Sequence, residues 1–152
     1  ALNVEEALTM IVDLYKEEAS QKGIELKLTS TTCDYQPLRI VADKFLFERI
    51  IINLITNAIE AMPKGGLLSI TLTMDSPGGS ARIAIEDAGI GIPRERVETI
   101  FTDYITTKRK GIGLGLAITK KNVSELKGSI TVESETGKGS IFTVTFPLAP
   151  CQ

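Results

Sequence analysis

The chain has 152 residues, of which 43% are apolar and 24% are charged, and its net charge is −2 at pH 7. This length and balance are typical of one globular domain with its own core, and the weak negative charge gives no general attraction to nucleic acid or to acidic membranes. The chain has no histidine, which excludes histidine-based catalytic triads, histidine general bases and histidine metal ligands.

The cysteine pattern and the apolar runs bear on location. Cys33 and Cys151 lie far apart in sequence, and free thiols are favoured over a disulfide. The apolar runs are too short to cross a bilayer, and the N-terminus lacks the apolar core of a secretory signal. We therefore expect a cytoplasmic domain without direct membrane contact, although the full protein that contains it can be membrane-anchored.

The first half of the chain alternates between helix and strand patterns. Apolar periodicity predicts a helix over Val4–Lys22, and alternation predicts strands over 24–28 and 38–42. Asp43 is a suitable N-cap for a second helix, which is expected to end before Pro63. The second half is predicted to contain, in order, strands over 67–74 and 82–87, a short helix from Pro93, a helix over 114–127, and strands over 129–133 and 140–148.

This order of elements predicts the fold class. Helices and strands are interspersed, and two pairs of neighbouring strands are joined by turns. The prediction is an α/β two-layer sandwich, in which a mixed, mostly antiparallel sheet carries helices on one face. Residues 1–152 are expected to form a single domain.

Two asparagines share one side of the apolar second helix. Asn53 and Asn57 are one turn apart, roughly 40° on the helical wheel, in a sector that also holds Leu46 and Ile50. A buried amide without partners costs on the order of 1–3 kcal/mol. The pair indicates a ligand, a metal or a polar network, or else two amides bonded to local backbone. The helix alone leaves both interpretations open.

A carboxylate and two glycines follow the strand over 82–87. Period two places Asp87 on the inward face at the rim of the core. A buried carboxylate needs donors, and the exocyclic amine of adenine is a suitable one. The alternative is that Asp87 is a cap or turn residue. Gly89 and Gly91 let the backbone approach a ligand closely.

A glycine-rich segment opens the helix over 114–127. Gly111, Gly113 and Gly115 precede or begin it, and glycines there leave backbone amides free for phosphate. Their spacing fits neither a Walker A loop nor a Rossmann fingerprint, and a flexible hinge is the alternative. The basic residues 108–110 lie just upstream, either near phosphates or on a solvated surface. Phe101 anchors this loop to the core or contributes to a docking patch, as does Tyr104.

Taken in order, these segments resemble the ATP-binding catalytic domain of bacterial sensor histidine kinases, in the superfamily of gyrase, chaperone, kinase and mismatch-repair ATPases. Residues 53–61 are similar to the N box of that family, and residues 87–93 to its first glycine box. Residues 100–108 resemble the F box, residues 111–118 the second glycine box, and residues 137–142 the closing glycine segment. The resemblance covers nearly the whole chain.

The resemblance implies a Bergerat-type fold that binds ATP and Mg²⁺. Asn57 would give its amide oxygen to Mg²⁺, and Asn53 would lie beside the phosphates, with Lys108 completing the catalytic group. Asp87 would hold the adenine amine, and a mobile lid would extend from about Gly91 to Gly111. The other implied nucleotide contacts are Gly89, Gly91, Ile92, Phe101, Tyr104, Thr106, Thr107, Arg109, Gly111, Gly113, Leu114, Gly115 and Leu116.

Three residues depart from the family pattern. Ala88 replaces an asparagine that is common after the first-box aspartate, and Ile112 stands where threonine or serine is common. Glu60 stands where many relatives have lysine, so one cationic phosphate contact is absent, and Lys108 or Arg109 is expected to compensate.

The resemblance implies a histidine kinase that transfers the γ-phosphate of ATP to a histidine on a separate dimerisation domain of the same protein, with a response regulator as further partner. That acceptor domain is absent from this chain, so the chain should not phosphorylate itself. The alternatives are a serine kinase of the anti-sigma type, an ATPase of the gyrase or chaperone type, and a nucleotide-sensing module without catalysis. Asn53 stands where the ATPases have a glutamate base, which argues against efficient hydrolysis.

Overall fold

The structure is a computed structural model that describes residues 1–31, 37–75, 79–101 and 112–150, with the backbone alone described at 112–114. The described residues form four helices, which are α1 (Val4–Gln21), α2 (Lys44–Glu60), α3 (Arg94–Val97) and α4 (Ile112–Glu125). They also form seven strands, which are β1 (Leu2–Asn3), β2 (Ile24–Ser30), β3 (Arg39–Ile40), β4 (Gly66–Asp75), β5 (Ser80–Asp87), β6 (Ser129–Glu135) and β7 (Gly139–Pro147).

Five of the strands form the main sheet, in the order β2-β4-β5-β7-β6. The pair β2–β4 is parallel and the three other pairs are antiparallel, which confirms the predicted mixed, mostly antiparallel sheet. The predicted strand over 38–42 is shorter than expected and lies outside this sheet. It forms β3, which pairs with β1 through the register Leu2↔Ile40.

One face of the sheet is buried beneath the helices. Leu26 is paired with Leu68, and Ile70, Ile85 and Phe142 follow one another across three strands, so all five side chains are on the same face and all are buried. The positions between them are exposed or half-buried. Helices α1, α2 and α4 contact strands of this sheet, which confirms the predicted two-layer sandwich.

Helix α2 is the central helix of the layer and carries both asparagines. Asp43 caps it as predicted, since its Oδ1 accepts from the backbone N–H groups of Phe45 at 2.8 Å and Leu46 at 3.1 Å. The apolar side of α2 is buried, and the ring of Phe47 packs against that of Phe146 with 5.8 Å between centroids. Helix α2 contacts both α1 and α4.

In the described part of the chain, none of the helices combines the length and the apolar character needed to span a membrane.

Candidate functional site

A cavity of about 500 Å³ lies between the C-terminal half of α2 and the end of the sheet where β5 ends and β7 begins. Asn57 contributes to one wall and Asp87 to the other. The described lining residues are Asn57, Ala58, Glu60, Ala61, Asp87, Ile90, Gly91, Ile92, Pro93, Arg96, Ile100, Leu116, Ser140 and Phe142. The lining is mainly apolar with a few polar groups, which is typical of a small-molecule site.

Asp87 occupies the inward position that the strand period predicts. Its side chain is only 5% exposed, and its Oδ1 accepts from the backbone N–H of Gly89 at 2.8 Å. Burial raises the pKa of the Asp87 carboxyl, and the nearby charge of Glu86 adds a smaller upward effect. The backbone N–H groups of Gly89 and Ser140 act in the opposite direction. A carboxylate that lines a cavity in this state can accept a further hydrogen bond from a ligand N–H group.

Two serine hydroxyls support the wall around Asp87. The backbone N–H of Ile92 donates to Ser134 Oγ at 2.8 Å, and that oxygen donates to the Gly139 carbonyl at 3.0 Å. The hydroxyls of Ser134 and Ser140 are 2.8 Å apart. Because Ser134 has one hydroxyl proton, which Gly139 receives, the Ser140 hydroxyl donates to Ser134. Ser140 therefore faces the cavity with an oxygen that can only accept.

The first glycine segment is packed against protein backbone on both sides. A Cβ on Gly89 would overlap the Ala61 carbonyl at the end of α2, and a Cβ on Gly91 would overlap the Glu135 carbonyl. Gly91 also has φ +75°, which favours glycine. The N–H of Ile90 donates to the Ala61 carbonyl at 3.0 Å, so this segment is fixed to α2. The absence of these two side chains is therefore required by the fold itself.

Asn57 has a buried donor without a partner. Its Nδ2 is buried, and no hydrogen-bond acceptor for it exists among the described residues. Asn57 lines the cavity, and Oδ1 is the acceptor atom that its amide can offer to a ligand there. An amide oxygen is a ligand that hard cations accept. The described residues contain no group of three or more His, Cys, Asp and Glu side chains that could hold a metal, so any cation here would take its other ligands from elsewhere.

Asn53 is held by α4. Its Nδ2 donates to the Gly115 carbonyl at 3.1 Å and to Thr119 Oγ at 2.7 Å. Asn53 is not among the residues that line the cavity. The two asparagines, one turn apart, therefore have different surroundings: a polar contact between helices for Asn53, and the cavity wall for Asn57.

The other predicted site residues divide into three groups. Gly91, Ile92 and Leu116 line the cavity. Phe101 packs edge-on against Phe142 with 6.3 Å between centroids, as expected of an anchor to the core. Gly113 and Leu114 are part of the α4 backbone. Tyr104, Thr106, Thr107, Lys108, Arg109 and Gly111 lie outside the described residues, as does most of the predicted lid.

Several lining residues were missed by sequence reasoning, among them Ser140, Phe142 and Arg96. Ser140 had a usable signal, because it is on the same face of its strand as Phe142. What the sequence lacked was the register between β5 and β7, which pairs Asp87 with Ser140. Arg96 follows from no periodic pattern, since α3 has only four residues.

Residues 42–150 match the family described as histidine kinase-, DNA gyrase B- and HSP90-like ATPases. The chain belongs to this family. It is 34% identical over 148 residues to the sensor histidine kinase ZraS of Escherichia coli (strain K12). That alignment covers 97% of the chain and 31% of ZraS. It is also 41% identical over 109 residues to sporulation kinase C of Bacillus subtilis (strain 168). That alignment covers 72% of the chain and 25% of that kinase. The chain thus spans less than a third of either relative.

Solved structures of this family share the fold. The nucleotide-free catalytic domain of the histidine kinase ThkA superposes with a TM-score of 0.83 at 32% identity, and the match covers 97% of the chain and 96% of that domain. Full-length ShkA, crystallised with AMPPNP, gives a TM-score of 0.80 at 27% identity, with 99% of the chain and 31% of ShkA covered. The resemblance to sensor histidine kinase catalytic domains is confirmed, and nucleotide binding is the property that this family implies for the cavity.

Proposed function

We propose that this chain is the catalytic part of a sensor histidine kinase, which binds ATP with Mg²⁺ and presents its γ-phosphate to a histidine on another domain. The observation that supports this most is that Asn57, on α2, and Asp87, at the end of β5, line the same cavity. A carboxylate acceptor and an amide oxygen in one cavity suit a ligand with an amine-bearing base and a cation-bound phosphate chain.

Asp87 would hold the exocyclic amine of adenine. Its carboxylate is buried and already bonded to the Gly89 N–H, which fixes its orientation before a ligand arrives. Ser140 Oγ adds a second acceptor on the same wall. The apolar side chains of Ile92, Leu116 and Phe142 would exclude water from the base. Removing water strengthens the hydrogen bonds that remain.

Asn57 would hold Mg²⁺ through Oδ1, and the residues present fit a magnesium ion that brings its own waters and phosphate oxygens. When bound, Mg²⁺ would neutralise charge on the transferring phosphoryl group. The contribution of the chain is then to position the nucleotide, because phosphoryl transfer requires alignment and charge neutralisation more than covalent help from the protein.

The proposed partners are a histidine-bearing dimerisation domain of the same protein and a response regulator. The chain itself has no histidine that could accept phosphate. The relatives ZraS and sporulation kinase C, both far longer than this chain, carry kinase names, which supports phosphoryl transfer over a purely nucleotide-sensing module.

The test uses γ-³²P-labelled ATP with the chain alone and then with a histidine-bearing helical domain added. We expect no acid-labile label on the chain alone, slow hydrolysis, and label on the added domain. Separation of the two domains lowers their effective concentration, so the reaction should accelerate when the acceptor is concentrated. Rapid hydrolysis by the chain alone would favour an ATPase. Label on a serine of an added protein would favour a kinase of the anti-sigma type, and nucleotide binding without either reaction would favour a sensing module.

A further inference from the structure

Thr119 is a buried polar residue on α4 to which the proposed function assigns no role. Its side chain is fully buried, and its Oγ donates to the Gly115 carbonyl at 2.7 Å. The same oxygen accepts from Asn53 Nδ2 at 2.7 Å, and that nitrogen also donates to Gly115 O at 3.1 Å. The three groups form a closed triangle of hydrogen bonds between α2 and α4.

The triangle holds the nitrogen side of the Asn53 amide against α4. Both acceptors of Asn53 Nδ2, Gly115 O and Thr119 Oγ, lie on the same side of it, and the Thr119 hydroxyl gives its one proton to Gly115. Among the described residues, Asn53 Oδ1 has no hydrogen-bond partner. The orientation of the amide is therefore fixed, with the oxygen as the atom left for a ligand.

This orientation restricts what Asn53 can do. An amide oxygen is repelled by phosphate oxygens, whereas it can ligate a cation or accept from a water bound to one. The triangle also fixes the backbone at Gly115, in the first turn of α4, against α2 one turn away from Asn57. Gly115 lies against Asn53, since a Cβ at this position would be in van der Waals contact with Asn53 Nδ2, at 3.4 Å.

We propose that Thr119 is a positioning residue that acts through Asn53. It orients the amide so that Asn53 Oδ1 is directed to the cation side of the nucleotide site. This inference rests on the proposed function, and it narrows the role of Asn53 from a residue beside the phosphates to an oxygen that serves the magnesium end of the nucleotide. Without the Thr119 hydroxyl, the amide of Asn53 loses one of its two acceptors and can rotate.

The experiment measures ADP binding to the whole 152-residue chain by calorimetry, with and without Mg²⁺. Thr119→Val removes the hydroxyl and keeps the shape, and Thr119→Ser keeps the hydroxyl. The matched control is Thr56→Val, because the Thr56 hydroxyl donates to the Asn53 carbonyl at 3.2 Å, within α2, and not to the Asn53 side chain. Circular dichroism checks that each variant is folded, and Thr119→Ala replaces Thr119→Val if the latter does not fold.

We expect Thr119→Val to reduce the gain in affinity that Mg²⁺ gives by about fivefold, the effect of one lost hydrogen bond. Its affinity for ADP without Mg²⁺ should remain within about twofold of the parent chain. Thr119→Ser and Thr56→Val should retain the magnesium effect. An unchanged magnesium effect in Thr119→Val would overturn the inference, as would equal losses with and without Mg²⁺, which indicate a packing role.

A double-mutant cycle tests whether Thr119 acts through Asn53. In an Asn53→Ala background, Thr119→Val should have no further effect on the magnesium-dependent gain, because the amide that it orients is gone. Independent, additive losses would contradict the proposal. A parent chain that binds no ADP under any condition would instead refute the proposed function, and the two failures are therefore distinguishable.

Discussion

The two walls of the cavity differ in how their polar groups are satisfied. On the sheet wall, Asp87 accepts from the Gly89 N–H, and Ser140 is bonded to Ser134. On the helix wall, Asn57 Nδ2 is buried without an acceptor in the described part of the chain. The sheet wall is thus preorganised, whereas the helix wall has a polar group whose environment is incomplete.

This difference indicates that the sheet wall selects between ligands, whereas the helix wall changes its hydrogen bonding when a ligand binds. A preorganised acceptor such as Asp87 discriminates between ligands that do and do not carry a donor. A ligand without a donor leaves the buried acceptor unsatisfied. A cation on Asn57 Oδ1 would leave the Nδ2 donor unpaired, so only a ligand that brings an acceptor can satisfy that nitrogen. Both walls lower the stability of the free protein, the sheet wall through the desolvated carboxyl of Asp87 and the helix wall through the unpaired nitrogen of Asn57.

The largest effect is expected from Asn57→Ala on the helix wall. Phosphoryl transfer should fall by about a hundredfold or more, since loss of even a group that only supports a metal ligand costs roughly 10–100-fold. Affinity for ADP should fall with Mg²⁺ present and stay close to that of the parent chain without it. The unfolding free energy should not fall, since removal of an unpaired buried amide recovers on the order of 1–3 kcal/mol. Transfer of ³²P label to the added domain, calorimetry and thermal unfolding measure these three changes, and equal losses of ADP affinity with and without Mg²⁺ would refute the proposed role.

On the sheet wall, Asp87→Asn should weaken ATP and ADP alike, with or without Mg²⁺. Loss of a charge-assisted hydrogen bond costs about 1.5–3 kcal/mol, which is roughly tenfold or more in affinity. The free protein should become more stable, because a desolvated charge is removed. The matched control is Glu86→Gln, which changes the adjacent carboxylate on the exposed face of β5. Unchanged ADP affinity in Asp87→Asn would contradict the assignment.

Gly91→Ala tests the rigidity of the sheet wall. An alanine there meets the Glu135 carbonyl at a positive φ, and a strained residue of this kind costs on the order of 1–3 kcal/mol. The unfolding free energy, measured by denaturant titration, should fall by that amount. Gly79→Ala is the control, because a Cβ on Gly79 meets nothing within 4 Å. Equal stability of the two variants would show that the loop after β5 is not fixed by this contact.

The raised pKa of Asp87 predicts opposite pH dependences for stability and binding. Because the folded pKa lies above the unfolded value, the contribution of Asp87 to the stability of the free protein is fully present below the unfolded pKa. It is lost as pH rises through the folded pKa. Binding of an adenine amine requires the carboxylate, so ADP affinity should weaken as pH falls through the folded pKa. Asp87→Asn should remove both effects; their persistence in that variant would assign them to another group.

The sequence predicted the parts of the site that depend on local pattern. The capping role of Asp43 depends only on residues next to it in sequence, and the inward position of Asp87 follows from the period of its own strand. The partners of these residues depend on tertiary structure. Ser140 reaches Asp87 through strand register, and Thr119 reaches Asn53 through the packing of α4 on α2. Strand β3 was predicted too long, because Leu38 and Ala42 are apolar without being in the ladder.

Arg96 at the rim of the cavity should give the smallest effect. It is the one cationic side chain among the described lining residues, which also include the carboxylates of Asp87 and Glu60. A cavity with two acids disfavours a polyphosphate, and a single exposed cation offsets part of this repulsion. Because exposed charges are screened, Arg96→Ala should weaken ATP by only about threefold, with less effect on AMP, and the difference should vanish at high salt. Calorimetric affinities for ATP, ADP and AMP check this, with Arg94→Ala as control, since Arg94 is exposed on the same helix and is absent from the lining. An equal loss for all three nucleotides would mean that Arg96 contacts the base or ribose, and would place the phosphates away from this rim.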